Sequence, residues 1–225
     1  MLEWAVSHPS ILPSFHSSMK IILENIGKRF NKEWIFRNVS YEFSLGNKYS
    51  ILGTNGSGKS TLLQIISGAI GQTEGNIKWQ IADSRWQMDE SLFKNISYAA
   101  PYLELAEEMT WKEAVKFHGK FKTYVSGFSE EKIISLSELE PSAEKQLRNF
   151  SSGMKQRARL ALAILSDTPV LLLDEPTTNL DESAVKWYQN LISDFAKEKL
   201  VIVCSNYNKE EYSFCDKELV LRKSV

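Results

Sequence analysis

The run Gly53-Thr54-Asn55-Gly56-Ser57-Gly58-Lys59-Ser60-Thr61 constrains this chain more than any other feature. It follows the β-prone segment Tyr49-Ser50-Ile51-Leu52 and leads into LLQIISGAI, whose apolar residues have helical spacing. A G-x-x-x-x-G-K-S/T run between a strand and a helix is the phosphate-binding P-loop. Gly53, Gly56 and Gly58 permit tight turns, so successive backbone N–H groups converge on phosphate oxygens. The helix that begins there adds the positive end of its dipole. In such a loop Lys59 reaches the β- and γ-phosphates, Ser60 ligates Mg²⁺ and Thr61 bonds a phosphate oxygen. Thr54, Asn55 and Ser57 supply the rest of the cradle.

The chain around this loop alternates strands with helices, which predicts an α/β fold with a mainly parallel sheet. KIILEN and VSYEFSL read as short strands separated by the turn Asn31-Lys32-Glu33, and they predict an antiparallel β edge subdomain. Residues 76–79 and 96–99 read as two further strands with an irregular polar stretch between them. Thr110 and Glu113 have capping-box spacing before the helix-prone WKEAVKFHGKF. An inserted α-helical subdomain is expected over about residues 102–166, closing with a helix from Ser152 to Ser166. PVLLLDEP and LVIVCS are short apolar runs of the kind buried on both faces of a parallel sheet. Asp181 is placed to cap a helix carrying Val185, Tyr188, Leu191, Ile192 and Phe195 on one face. Glu218–Leu221 reads as a last strand. Met19 opens the patterned part, so residues 1–18 are expected to be a loose lead-in and 19–225 one domain.

Leu171-Leu172-Leu173-Asp174-Glu175 complements the P-loop. An acidic residue ending a buried strand sits at the mouth of the sheet, where open α/β folds bind ligands. Asp174 is the expected Mg²⁺ ligand, directly or through water. Glu175, one residue on, can lean toward a water that attacks a γ-phosphate. Between these two motifs, Ser151, Ser152 and Gly153 open a helix whose free N–H groups suit an anion.

With Phe150-Ser151-Ser152-Gly153-Met154 in the signature position, the chain resembles the ATP-binding cassette (ABC) ATPases, nucleotide-binding subunits of ABC transporters. The resemblance covers about residues 20–222. It implies the ABC ATPase fold: a P-loop core, an antiparallel edge subdomain and a helical subdomain. It also implies ATP and Mg²⁺ as cofactors, with Glu175 and Lys59 as catalytic residues and Ser60 and Asp174 at the metal. The family's D-loop falls on Asn179-Leu180-Asp181, and its adenine-stacking aromatic on Phe30, with Trp34 in reserve. Two positions depart from the pattern. Pro101 stands at the Q-loop glutamine, and Gln87 is too early to replace it. Asn206 stands at the switch histidine. Proline has no side-chain oxygen, and asparagine can donate a hydrogen bond to a γ-phosphate but carries no proton near neutral pH.

By this resemblance the chain is expected to bind and hydrolyse ATP, to dimerise head to tail with a second ABC subunit (most simply itself), and to power a separate transmembrane permease. Slow hydrolysis is expected from Pro101 and Asn206. The alternative is a nucleotide-gated, hydrolysis-poor module that regulates a membrane or soluble complex. Trp111, Val115, Phe117 and Phe121 lie where the family docks its permease. Composition excludes other classes. Lys and Arg number 27 against 28 Asp and Glu, a net charge of −1, which gives no footprint for nucleic acid. No apolar run approaches the roughly 20 residues of a membrane helix, so no direct membrane insertion is expected. Two cysteines, Cys204 and Cys215, are too few for a disulfide scaffold. A cytoplasmic location, peripheral to the inner face of the cell membrane, follows as the expectation.

Overall fold

The computed structural model describes residues 19–81, 84–86 and 90–222. The expected lead-in at residues 1–18, and Gln87, lie outside the described residues. Two sheets organise the chain. The first contains β1 (Lys20–Phe30), β2 (Glu33–Ser44), β4 (Glu74–Ile81) and β5 (Ser84–Trp86) in the order β2-β1-β4-β5, all antiparallel. The second contains β3 (Lys48–Leu52), β6 (Ile96–Ala99), β7 (Val170–Asp174), β8 (Leu200–Ser205) and β9 (Lys217–Val220) in the order β6-β7-β8-β3-β9, all parallel. The helices are α1 (Lys59–Ile66), α2 (Glu90–Asn95), α3 (Trp111–Gly119), α4 (Glu130–Leu136), α5 (Ser152–Ile164), α6 (Glu182–Phe195) and α7 (Lys209–Tyr212). Among the described residues no helix is long and apolar enough to cross a membrane.

The edge strands are longer than their sequence suggests. β1 has 11 residues and β2 has 12, where short strands were expected. The reason is bulging: the register slips between Leu23 and Ile26 and again between Ile26 and Lys28. Asn25 and Asn38 take left-handed backbone there, with φ of 52° and 57°. Each bulge breaks the apolar alternation from which a strand is read. The stretch expected to be irregular also holds β5 and α2. In the other direction, α1 stops at Ile66 and α5 at Ile164.

Every residue of β7 and β8 is buried, and their alternation divides the core. Leu171, Leu173, Val201 and Val203 face one cluster with the helical lobe, including Trp111, Val115, Ile133 and Leu160. Val170, Leu172, Leu200, Ile202 and Cys204 face the other, with α1 and the antiparallel sheet's Ile21, Leu23 and Phe43. The lobe therefore shares its core with the sheet. α5 joins the two: the Ile164 carbonyl at its end and the Ser166 carbonyl just beyond it accept from the buried Lys199 ammonium at 2.9 and 2.5 Å, a cation at the negative end of a helix.

Within the lobe, Thr110 and Glu113 form the expected capping box at the start of α3. The Trp111 indole donates to Ser137 Oγ at 3.1 Å, and Tyr124 donates to the Val115 carbonyl at 2.7 Å. Trp111 and Val115 are fully buried, which removes them from the expected docking surface, because the lobe needs them for its own core. Phe117 and Phe121 remain exposed, at 46% and 56%. Cys204 is buried and Cys215 half-buried, and neither is disulfide-bonded.

His118 lies near Ser166 Oγ at 2.9 Å. That hydroxyl donates its one proton to the Leu162 carbonyl at 2.6 Å, so the imidazole Nε2 carries the hydrogen. Burial, reinforced by the Lys122 charge, lowers the His118 pKa from 6.5 to about 4. The unfolded chain takes up a proton that the folded chain refuses, so this contribution is complete above pH 6.5 and is lost as pH falls toward 4. Wild-type stability, followed by urea unfolding, should therefore fall more steeply over that window than the stability of His118→Gln. Equal slopes would refute a neutral, half-buried ring.

Candidate functional site

Loops leaving the carboxyl ends of β3, β6, β7 and β8 converge on one edge of the parallel sheet, since Leu52 pairs with Ser205, Asp174 with Cys204 and Ala99 with Leu173. The first of these is the P-loop. Gly56 and Gly58 adopt φ of 78° and 96°, conformations that cost other residues strain. Gly58 also has no room: a Cβ would stand 2.5 Å from Ile35 Cγ2 and 2.7 Å from Phe36 Cδ1. At Gly53 a Cβ would meet Ser57 Oγ at 2.4 Å and the Leu221 carbonyl at 2.6 Å. The loop is thus clamped between β2, through Ile35 and Phe36, and the residue after β9.

Lys59 is buried, and its ammonium donates to the Gly53 and Thr54 carbonyls at 2.9 and 3.3 Å. No side chain caps α1, so its first N–H groups remain available at the loop. Thr54, Asn55 and Gly56 are exposed, and Ser60 and Thr61 are half-buried. Ser57 Oγ is buried without a partner.

Across the sheet edge, Asp174 is 2% exposed. Its Oδ2 accepts from the Tyr102 hydroxyl at 3.1 Å, and the Ser60 hydroxyl lies beside the carboxylate. Its Oδ1 is buried and has no partner among the described residues. Burial raises the Asp174 pKa, while the Ser60 and Tyr102 hydroxyls and the Lys59 charge pull it back. Glu175 follows in left-handed backbone with φ 42°, held by its N–H to the Cys204 carbonyl at 3.0 Å. A non-glycine residue in that region costs about 1–3 kcal/mol and marks a turn that the surroundings enforce.

The residues after Glu175 are tied down from several sides. The Pro176 carbonyl accepts from Gln156 on α5 at 2.9 Å. Thr177 Oγ1 donates to the buried Glu211 at 3.0 Å and accepts from Asn208 Nδ2 at 3.0 Å. Burial raises the Glu211 pKa, and its Oε2 has no partner. Sequence reading missed Tyr102, Glu211 and Asn208. The only signal was polar residues beside strand ends.

Ser151 caps α5, accepting from the Met154 N–H at 3.2 Å. Ser151 and Ser152 are exposed, and Gly153 is half-buried. Ser151 and Gly153 border a cavity of about 430 Å³ shared with Asn179, Leu180 and Asp181, and no residue of the P-loop lines it. A Cβ on Gly153 would stand 2.8 Å from the Asn179 carbonyl oxygen. Asp181 Oδ1 caps α6 at the Ala184 N–H, 2.8 Å away. Asn206 is exposed just after β8. Phe30, at the end of β1, is 49% exposed, so it is not core. The Lys28 ammonium lies 4.8 Å from its ring centroid. Trp34 is half-buried, with the Arg37 and Arg29 guanidinium groups 4.2 and 5.2 Å from its ring.

The donor set suits a hard divalent cation: a carboxylate with one buried oxygen unpartnered, beside a serine hydroxyl. Among the described residues no cluster of His, Cys, Asp or Glu could hold a metal alone. That pattern fits Mg²⁺, which is commonly bound through one carboxylate together with substrate phosphates and water.

Residues 36–178 match the family described as ABC transporter. An ABC transporter ATP-binding protein of Bacillus subtilis, YybJ, itself uncharacterised, is 33% identical over 85% of this chain and 88% of its own length. The lantibiotic transport ATP-binding protein SrtF of Streptococcus pyogenes is 29% identical over 82% of this chain and 79% of its own. Among solved structures, the dimeric MJ0796, a bacterial ABC transporter cassette, superposes with a TM-score of 0.76 at 26% identity, covering 89% of this chain and 94% of that one.

The clamp on Gly58 makes a direct forecast. Gly58→Ala combines a left-handed backbone with a methyl group inside van der Waals contact. It should lower stability by about 2 kcal/mol or more in urea unfolding. A variant as stable as wild type would mean that β2 does not hold the loop.

Proposed function

The chain belongs to the ABC transporter family as an ATP-binding, ATP-hydrolysing subunit, and from that premise we propose how its residues divide the work. The observation that carries the reading is the unpartnered Asp174 oxygen beside Ser60, at the mouth of the P-loop. The backbone N–H groups of residues 53–61 bind the phosphates, and Lys59 exchanges its bonds to the loop's own carbonyls for the β- and γ-phosphate oxygens. Phe30 stacks on the base through its open face. Ser60 and Asp174 hold Mg²⁺, which when bound neutralises negative charge on the phosphate oxygens. Glu175 orients water and takes its proton as the water oxygen bonds to the γ-phosphorus. The bond to the bridging oxygen breaks, and ADP and phosphate leave. Asn206 donates a hydrogen bond to the γ-phosphate but cannot relay a proton.

Ser151, Ser152 and Gly153 serve the nucleotide of a second subunit, most simply another copy of this chain. In support, Ser151 and Gly153 open onto a cavity bounded by Asn179–Asp181 and not by their own P-loop. Asp181 fixes the adjoining turn by capping α6. Two copies thus close over two nucleotides, and hydrolysis releases them. Phe117 and Phe121, whose ring centroids are 5.0 Å apart, offer an exposed apolar pair on the lobe. We assign that pair to a separate transmembrane permease, with the subunit peripheral to the inner face of the membrane. Residues 19–225 then act as one domain, with 102–166 as its moving lobe.

Pro101 and Asn206 favour a second reading, in which the dimer closes on ATP but hydrolyses it hardly at all. Steady-state turnover separates the two. Wild type should turn over slowly, and Glu175→Gln should lower turnover by about a hundredfold or more. Light scattering should show Glu175→Gln monomeric without nucleotide and dimeric with Mg-ATP. Turnover no greater than that of Glu175→Gln, with the permease present, would leave only the second reading. Asn206→His should raise the wild-type rate by about tenfold, equivalent to 1.4 kcal/mol of transition-state stabilisation. An unchanged rate would exclude this position from the chemistry.

A further inference from the structure

Pro101 leaves the loop after β6 without the oxygen that a glutamine would bring, but the next residue brings a phenol to the same place. The Tyr102 hydroxyl lies 3.1 Å from Asp174 Oδ2. It accepts from Gln64 Nε2 of α1 at 3.3 Å and shares a hydrogen bond with the Tyr98 hydroxyl. Each phenol has one proton, which sets the order. A carboxylate can only accept, so Tyr102 donates to Asp174, and Tyr98 must donate to Tyr102. The loop that carries Tyr102 is itself fixed. Leu103 N–H closes a turn on the Ala100 carbonyl at 3.1 Å, and Arg159 of α5 donates to the Leu103 carbonyl at 2.6 Å. All hydrogen bonding to Asp174 from this loop falls on Oδ2, and Oδ1 is the oxygen left unpartnered.

We propose that Tyr102, backed by Tyr98, is the positioning residue for the metal–nucleotide site: it holds Asp174 by one oxygen so that the other is presented, with Ser60, to the cation. The inference rests on the nucleotide site described under the proposed function. Its physical basis is that a ligating carboxylate needs a second hydrogen bond to fix its orientation, and losing such a partner commonly costs 10- to 100-fold in metal affinity. Because Tyr102 belongs to the connection between the sheet and the helical lobe, it also ties the metal site to the position of the lobe. A glutamine side chain would reach the site by its own flexible stem. The phenol reaches it as a rigid plane with fewer rotatable bonds.

The test uses the whole chain and calorimetric binding of ADP and of a non-hydrolysable ATP analogue, with and without Mg²⁺. Manganese paramagnetic resonance supplies an independent readout of the metal. Tyr102→Phe keeps the ring and removes one oxygen. It should leave metal-free nucleotide affinity within about twofold of wild type and raise the Mg²⁺ half-saturation about tenfold or more. Tyr98→Phe should shift it in the same direction by less. Pro101→Gln added to Tyr102→Phe should recover most of the loss, which a purely structural defect would not allow. An unchanged Mg²⁺ half-saturation in Tyr102→Phe overturns the proposal. So does equal loss of metal-free and metal-dependent binding, which would make the phenol part of the scaffold. If Tyr102→Phe fails to fold, Tyr98→Phe decides on the same readout. Wild-type protein that binds nucleotide with no dependence on Mg²⁺ would instead sink the underlying reading of the site.

Discussion

A carboxylate buried at the end of a wholly apolar strand is costly, and much of the molecule around Asp174 offsets that cost. An ionised group taken out of water must find hydrogen bonds or opposite charge, or else give up its charge. Tyr102 and Ser60 provide the hydroxyls, and Lys59 provides the charge. These partners come from two separate connections: Tyr102 from the loop after β6, and the adjacent Lys59 and Ser60 from the P-loop where α1 begins. The burial of β7 therefore does more than fill the core. It forces two loops to meet at a single oxygen pair, and one oxygen of that pair is left for something else.

The turn that follows Asp174 extends the same constraint. Glu175 and Asn179 both hold left-handed backbone, at φ 42° and 64°. Strain of this kind persists only where neighbours over-determine it. Here they do so from α5 through Gln156, from β8 through the Cys204 carbonyl, and from Asn208 and α7 through Glu211. The buried Glu211, held at Thr177 and with its other oxygen unpartnered, repeats Asp174 on a smaller scale. Of these two buried carboxylates, Asp174 precedes the turn and Glu211 braces its middle through Thr177.

Much of this was readable in advance, because the signals were local. The P-loop spacing, the box at Thr110 and Glu113, the Asp181 cap and the continuous apolar runs of β7 and β8 each depend on residues near one another in the chain. What could not be read was non-local. Tyr102 meets Asp174 across a separation of 72 positions, and its partners are chosen by sheet order, which no short pattern encodes. The bulges at Asn25 and Asn38 hid the full length of β1 and β2 by breaking alternation. Trp111 and Val115 looked like half of an apolar docking face, yet the small helical lobe consumes both as core. Among the site residues, those in the P-loop follow from backbone geometry alone. Phe30 and Asn206 were placed by family resemblance, and the structure adds only that both are exposed.

The contact between Gly153 and the Asn179 carbonyl leaves no clearance: the glycine's hydrogen faces an oxygen with no space for a methyl group. Any side chain at position 153 would have to push residues 179–181 away from α5. The spacing between the serine-capped helix end and the turn after Glu175 is therefore set by the absence of a side chain, and an alanine there would act as a wedge between them.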